Sequence, residues 1–384
     1  MEDWQNGGFG IYIHWPFCLS KCPYCDFNSH VRGNVDHTEW KHALLSELRH
    51  AAQLTPDRSV QSIFFGGGTP SLMAADTVGS IIDEVAKLWR IGNDVEITLE
   101  ANPTSVEADK FLDFNKAGVN RISMGIQALN DIDLKRLGRL HTTKEALQAF
   151  DIAKNNFSRV SFDLIYARQD QTIENWQHEL TQALDLTVDH LSLYQLTIEE
   201  NTRFGALYKR GNLGGLPNDN LAADLYLATD EICANAGLDC YEISNYARKG
   251  SESKHNLVYW RYGDYIGIGP GAHGRITLDG VKHATITPMS PETWLKQVQT
   301  NGFAFKTSET ISKSDQGEEY LMMSLRLAEG TDLERFQTLT GHTLDADKIK
   351  MLTDEGLVSC ENNRLVASPS GRMVLNAVLK ELLI

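Results

Sequence analysis

The chain has 384 residues, room for two or three domains, and its 42% hydrophobic and 23% charged content is typical of a soluble globular protein. With 51 acidic against 36 basic side chains the net charge is −15, which argues against nucleic acid as a partner, since phosphate binding rewards clustered Lys and Arg. No stretch approaches the ~20 apolar residues of a membrane span, and Met1-Glu2-Asp3-Trp4 does not begin a leader, so a cytoplasmic location is expected.

In the first half, short β-branched or aromatic runs alternate with longer helical patterns. Strands are predicted at Phe9–Trp15, Val60–Gly66, Val95–Ala101, Arg121–Gly125, Val160–Tyr166 and Leu191–Leu196. Helices are predicted at His37–Gln53, Ala74–Trp89, Val106–Ala117, Asp131–Leu137, Thr143–Asn155 and Thr172–Asp185. Such alternation argues for an α/β fold of parallel βα units. Six units cannot close an eight-stranded barrel, so an open, curved partial (β/α)6 barrel is expected. Polar residues gather where the strands end: Gly66-Gly67-Gly68-Thr69-Pro70, Glu100-Ala101-Asn102-Pro103, Gln127, Asp163 and Gln195. In parallel barrels these ends form the ligand-facing rim.

Cys18, Cys22 and Cys25, in the loop after the first strand, form a C-x3-C-x2-C triad. Three close thiolates can hold three irons of a [4Fe–4S] cube, whereas such clusters usually take four Cys. The fourth iron is then open to bind a small molecule. A structural zinc site would want a second cysteine pair, and Cys233, Cys240 and Cys360 are not spaced as one. These three are expected to be small buried residues.

A second region, residues 238–313, contains Tyr241-Glu242-Ile243-Ser244-Asn245-Tyr246, His255-Asn256-Leu257-Val258-Tyr259-Trp260 and Gly267-Ile268-Gly269-Pro270-Gly271-Ala272-His273. It follows a barrel domain at residues 1–237. From residue 314 to 384 the pattern reads helix, hairpin with an Asn362-Asn363 turn, and final helix, a winged-helix-like C-terminal α+β module. The acidic balance favours a lid or docking surface there over DNA binding.

Tyr12-Ile-His14-Trp-Pro16-Phe17-Cys18, Cys22-Pro-Tyr24-Cys25 and Gly66-Gly-Gly-Thr69-Pro70 together resemble the radical S-adenosylmethionine (SAM) superfamily. With Glu100, Gln127 and Arg139 the resemblance narrows to the branch of oxygen-independent coproporphyrinogen III dehydrogenase and the HemW-type heme chaperones. It extends from Gly10 to the C-terminal helix. It implies a [4Fe–4S] cluster on Cys18, Cys22 and Cys25, and SAM contacts from Tyr12, Tyr24, Gly67, Gly68, Thr69, Glu100, Gln127, Arg139 and Asp163. Arg139 could fork onto the methionine carboxylate, and a glycine loop lets backbone approach a ligand.

Two departures separate the chain from the dehydrogenase. The position of that enzyme's fourth Cys is Phe27, and the longer arm before its cluster is lacking. These argue against oxidative decarboxylation of coproporphyrinogen III to protoporphyrinogen IX, which stays as the enzyme alternative. His255-Asn256-Leu-Val-Tyr259-Trp260 matches the H-N-x-x-Y-W motif of HemW-type chaperones. Imidazole and phenolate are heme ligands and Trp offers a stacking face, but a structural cluster is the alternative reading of His255, Tyr259 and Trp260. The resemblance therefore implies heme as ligand and apo-haemoproteins, such as respiratory enzymes, as clients. It leaves open the electron donor, SAM cleavage, homodimerisation and peripheral membrane association.

Overall fold

The computed structural model describes residues 2–383. The six expected strands form at Phe9–Trp15 (β1), Ser59–Gly67 (β2), Arg90–Ala101 (β3), Arg121–Gln127 (β4), Arg159–Tyr166 (β5) and His190–Gln195 (β6). They pair in parallel in chain order. Beyond β6 the sheet turns antiparallel through Asp239–Glu242 (β7) and Asn245–Ala247 (β8), with β8 beside β6.

A seventh parallel strand, Asp264–Ile268 (β9), lies on the free side of β1. It leads outward through three antiparallel strands, His273–Leu278 (β10), Val281–Ile286 (β11) and Lys306–Thr310 (β12). Among the described residues, this makes one open sheet of 12 strands.

Alternation along β1 sorts its side chains, as successive Cβ atoms point to opposite faces. Ile11, Ile13 and Trp15 are buried on the outer face, where Trp15 stacks on His37 and meets Trp40 edge-on. Both partners belong to the helix His37–Leu54, whose first turn is capped by Asp36 through the N–H groups of Thr38 and Glu39. Tyr12 and His14 point the other way, into the barrel, where Tyr12 stacks on Phe64. The helices at Thr143–Asn156 and Ile173–Leu186 cover later strands, the first opened by a Thr142–Glu145 capping box. The single helix expected at 106–117 is two, Ser105–Ala108 and Phe111–Lys116.

Among the described residues the C-terminal module runs through three helices, Lys313–Ser324, Leu333–Thr340 and Ala346–Asp354, the hairpin Val358–Glu361/Arg364–Ala367, and two closing helices, Pro369–Met373 and Leu375–Leu383. Asn362 and Asn363 both have positive φ, the backbone of a two-residue hairpin turn. Thr331–Asp332 adds a third antiparallel strand. Tyr320, Leu321, Phe336, Leu365 and Val378 form a second core. Arg335 clamps this module to the amino terminus through Asp3 (2.7 Å), and Arg275 ties β10 to Glu319 (2.8 Å). Cys233 is buried, but Cys360, expected inside, is exposed on the solvent side of the hairpin. Among the described residues no helix is long and apolar enough to cross a membrane.

Candidate functional site

At the carboxyl ends of β2 to β5, one pocket is lined by Cys18, Cys22, Cys25, Tyr24, Gly67, Gly68, Thr69, Glu100, Gln127, Arg139 and Asp163. All the expected cluster and SAM residues except Tyr12 thus meet in one cavity. Each thiol has a polar donor at its sulfur. Thr69 Oγ1 donates to Cys18 Sγ (3.4 Å), Arg139 Nη1 to Cys22 Sγ (3.3 Å), and Ser29 Oγ stands 3.9 Å from Cys25 Sγ. Burial raises the thiols of Cys18 and Cys25 above their ordinary range. Such sulfurs shed their protons to a coordinating metal, and donors around them set a cluster's potential. The donor set therefore suits a metal–sulfur cluster.

Asn102 connects two of these cysteines. Its Oδ1 accepts from Arg139 Nη2 (2.6 Å) and its Nδ2 donates to Thr69 Oγ1 (3.3 Å). Glu107 is buried behind it and accepts from Asn102 N (2.9 Å) and from Ser71 Oγ. Gly125 is needed for the same assembly, since a Cβ there would lie 2.8 Å from Gln127 Nε2 and 3.4 Å from Arg139 Nη2. Sequence reasoning did not single out Asn102, Glu107 or Gly125 as site residues. Asn102 could have been found by alternation, since it follows Glu100 by two positions and so shares its face.

Arg139 also donates to Gly125 O (2.8 Å), while its Nε is buried without a hydrogen-bond partner. Glu100 accepts from Gly67 N (3.3 Å). Burial, then the charge of Asp163, pushes the Glu100 carboxyl up to about 8, and burial pushes Asp163 up to about 6. A cation entering the pocket would drive both toward ionisation. Gln127 ends β4 with φ +74, a left-handed backbone uncommon outside glycine, which accompanies a register shift in the β4–β5 pairing.

The glycine loop lines the pocket with backbone, and its missing side chains also make room for neighbouring protein. Gly67 has φ +111, and a Cβ there would meet the His14 ring at 2.6 Å; one at Gly68 would meet Phe17 O at 2.7 Å. The freed space is filled by protein, and it lets the cysteine loop lie against the end of β2. Gly68 N donates to Trp15 O and Thr69 N to Phe17 O.

Tyr12 is not among the residues that line the pocket. Its hydroxyl is 3.0 Å from His14 Nδ1, and His14 Nε2 is 2.9 Å from Asn28 O. His14, two residues further along the same face, covers it. His141 is buried against Ile126 O (3.0 Å). Phe27 lines the pocket and is 60% exposed. Its neighbour Asn28 fastens the loop by donating to Pro270 O (2.9 Å) and Met289 O (3.0 Å).

His255, Tyr259 and Trp260 are outside this pocket, on the short helix Lys254–Trp260. His255 is only 2% exposed, against the start of the barrel strands. Its Nδ1 is 2.8 Å from Ser62 Oγ and its Nε2 is 2.7 Å from Tyr259 OH. The ring stacks on Phe64, and burial lowers the imidazole to about 3. Both ring nitrogens thus have a protein partner in this structure.

Comparison with known proteins agrees with this geometry. Residues 12–182 match the family model of the radical SAM superfamily, and residues 311–374 match that of the HemN C-terminal domain. The chain is 38% identical over 378 residues to the heme chaperone HemW of Escherichia coli, covering 96% of this chain and 97% of that protein. It is 37% identical over 384 residues to the mitochondrial radical S-adenosyl methionine domain-containing protein 1 of Bos taurus, covering 97% of this chain and 87% of that one. The solved structure of coproporphyrinogen III oxidase (HemN) from Escherichia coli superposes with a TM-score of 0.79 at 21% identity, over 99% of this chain and 92% of the other. The chain belongs to the radical SAM superfamily and, within it, to the HemW family.

Proposed function

We propose that the chain is a heme chaperone, binding heme and passing it to apo-haemoproteins while holding a [4Fe–4S] cluster and SAM. The observation that carries this reading is the near full-length identity to proteins named heme chaperone HemW, 38% in one case and 37% in another. Phe27 supports it against the decarboxylase reading, because an apolar ring stands where the dehydrogenase motif has its fourth cysteine.

Cys18, Cys22 and Cys25 would hold the cluster, which when bound supplies electrons and one open iron. Thr69, Arg139 and Ser29 would stabilise negative charge on the sulfurs. Glu100 and Asp163 would accept from SAM's ammonium or ribose hydroxyls, and Arg139, which lines the same pocket, would pair with its carboxylate. Gln127 and Tyr24 would close the remaining walls.

Anaerobic reconstitution tests the proposal. Heme titration should give a stoichiometric complex with a Soret shift, and the loaded protein should restore activity to an apo-haemoprotein. With reductant and SAM it should form no protoporphyrinogen. Absence of heme binding would sink the chaperone reading, and robust porphyrinogen turnover would replace it with the enzyme.

A further inference from the structure

A second cavity, about 710 Å³, opens beyond the ends of β5 and β6, within the rough 300–1,000 Å³ range of small-molecule sites. It lies where the barrel, the helix Asp219–Asn235 and the C-terminal module meet. Tyr166, Tyr194, Tyr226, Ile243, Met373 and Val374 give it aromatic and apolar walls, and Arg326 and Arg372 reach in from the C-terminal module.

Three features mark it as a built site. First, among the described residues neither Arg326 nor Arg372 forms an ion pair, although Asp219 also lines the cavity, in a protein of net charge −15. Arg326 donates to Met322 O and stands 6.0 Å from the Trp260 ring; Arg372 contacts the Tyr226 hydroxyl and lies in the field of Cys240 and Asp230. Glu242 lies nearest in that field, but its carboxyl is bonded to Asn245 and pushed up to about 7 by burial. Second, Tyr226 is 8% exposed and its hydroxyl is held by Arg372, so a phenol and a guanidinium stand side by side on one wall of the cavity. Third, apolar surface is left open to the cavity, with Tyr194 41% exposed and Met373 and Val374 comparably so.

We propose that this cavity is the seat of the heme, with Arg326 and Arg372 taking its two propionates and the tyrosine and aliphatic walls taking the ring. The inference rests on the heme reading above and gives it a place. A dicarboxylate on a flat apolar plate is what two guanidiniums with no carboxylate partner, set beside aromatic walls, select. The lining contains no His or Cys, so an iron ligand from these walls would be a phenol or the Met373 thioether. Tyr194 lines this cavity from β6, and Ser192, two residues earlier on the same strand, pairs with Asp163 of the cysteine pocket. The seat thus adjoins the cysteine pocket, whereas His255 is buried at the barrel's other end.

The test is a Soret titration of the full, reconstituted chain with hemin, heme dimethyl ester and iron-free protoporphyrin IX. Wild type should bind hemin and protoporphyrin IX, and bind the ester about tenfold or more weakly. R326A/R372A should lose about the same factor for hemin and no longer distinguish the ester. V374W, which fills the cavity and leaves both guanidiniums, should block hemin while keeping wild-type iron content and melting temperature. If wild type binds no heme, the function proposed above fails. If wild type binds and V374W or a folded R326A/R372A binds equally well, the seat is elsewhere and this inference is overturned.

Discussion

The Arg139 guanidinium donates to Cys22 Sγ at 3.3 Å, so a fixed positive charge sits on one sulfur of the triad. Arg139→Gln removes that charge, which favours the more negative, reduced cluster. The reduction potential should move to more negative values, read by anaerobic EPR titration, with the iron content per chain little changed. An unshifted potential would mean that the contact does not persist when the cluster is bound.

Glu107 touches no cysteine, but it holds Asn102, which holds both Arg139 and Thr69. Glu107→Ala leaves the backbone N–H of Asn102 without its buried acceptor, at a cost of about 1–3 kcal/mol. The variant should melt several degrees lower and retain less iron after reconstitution. Glu107→Gln, which keeps an acceptor oxygen, should recover much of the iron.

Gly67→Ala combines strain at φ +111 with a 2.6 Å clash against His14. A cost of about 1–3 kcal/mol is expected from the backbone alone. Because the loop backs the cysteine segment, iron uptake should fall together with melting temperature. Gly33→Ala, at a position with nothing within 4 Å, should change neither.

The Glu100 carboxyl, ordinarily near 4.5, is pushed up to about 8 by burial and by Asp163. Between these values the folded chain keeps a proton that the unfolded chain has lost. Folding therefore takes up protons, and this contribution to stability is full below about 4.5 and disappears as pH rises to about 8. Denaturant titrations of cluster-free protein should show that decline, and Glu100→Gln should flatten it.

His255→Ala should be costly whatever the ligand. It strands Ser62 Oγ and Tyr259 OH and opens a hole beside Phe64, together about 2–4 kcal/mol. A denaturant midpoint unmoved from wild type would contradict the buried packing.

The triad, the strand ends and the rim were legible in the sequence because each is local. Alternating apolar runs marked β1 to β6 to within a few residues, and the Cys spacing carried its own chemistry. What escaped notice depends on long-range contact. Asp264–Ile268 is a run of only five residues whose role as a parallel strand appears only when it meets β1, 255 positions earlier in the register Phe9–Asp264. The burial of His255 depends on Ser62 and Phe64. The route from Glu107 to Cys22 passes through residues whose types are ordinary in loops.

That late pairing has a consequence for synthesis. Until Asp264–Ile268 leaves the ribosome, β1 has one edge unmatched, and the segment that precedes the cysteines stays a template for any passing chain. Loading of iron before translation reaches that point would act on an unfinished mouth, and a fragment stopped at residue 237 should aggregate where the full chain does not.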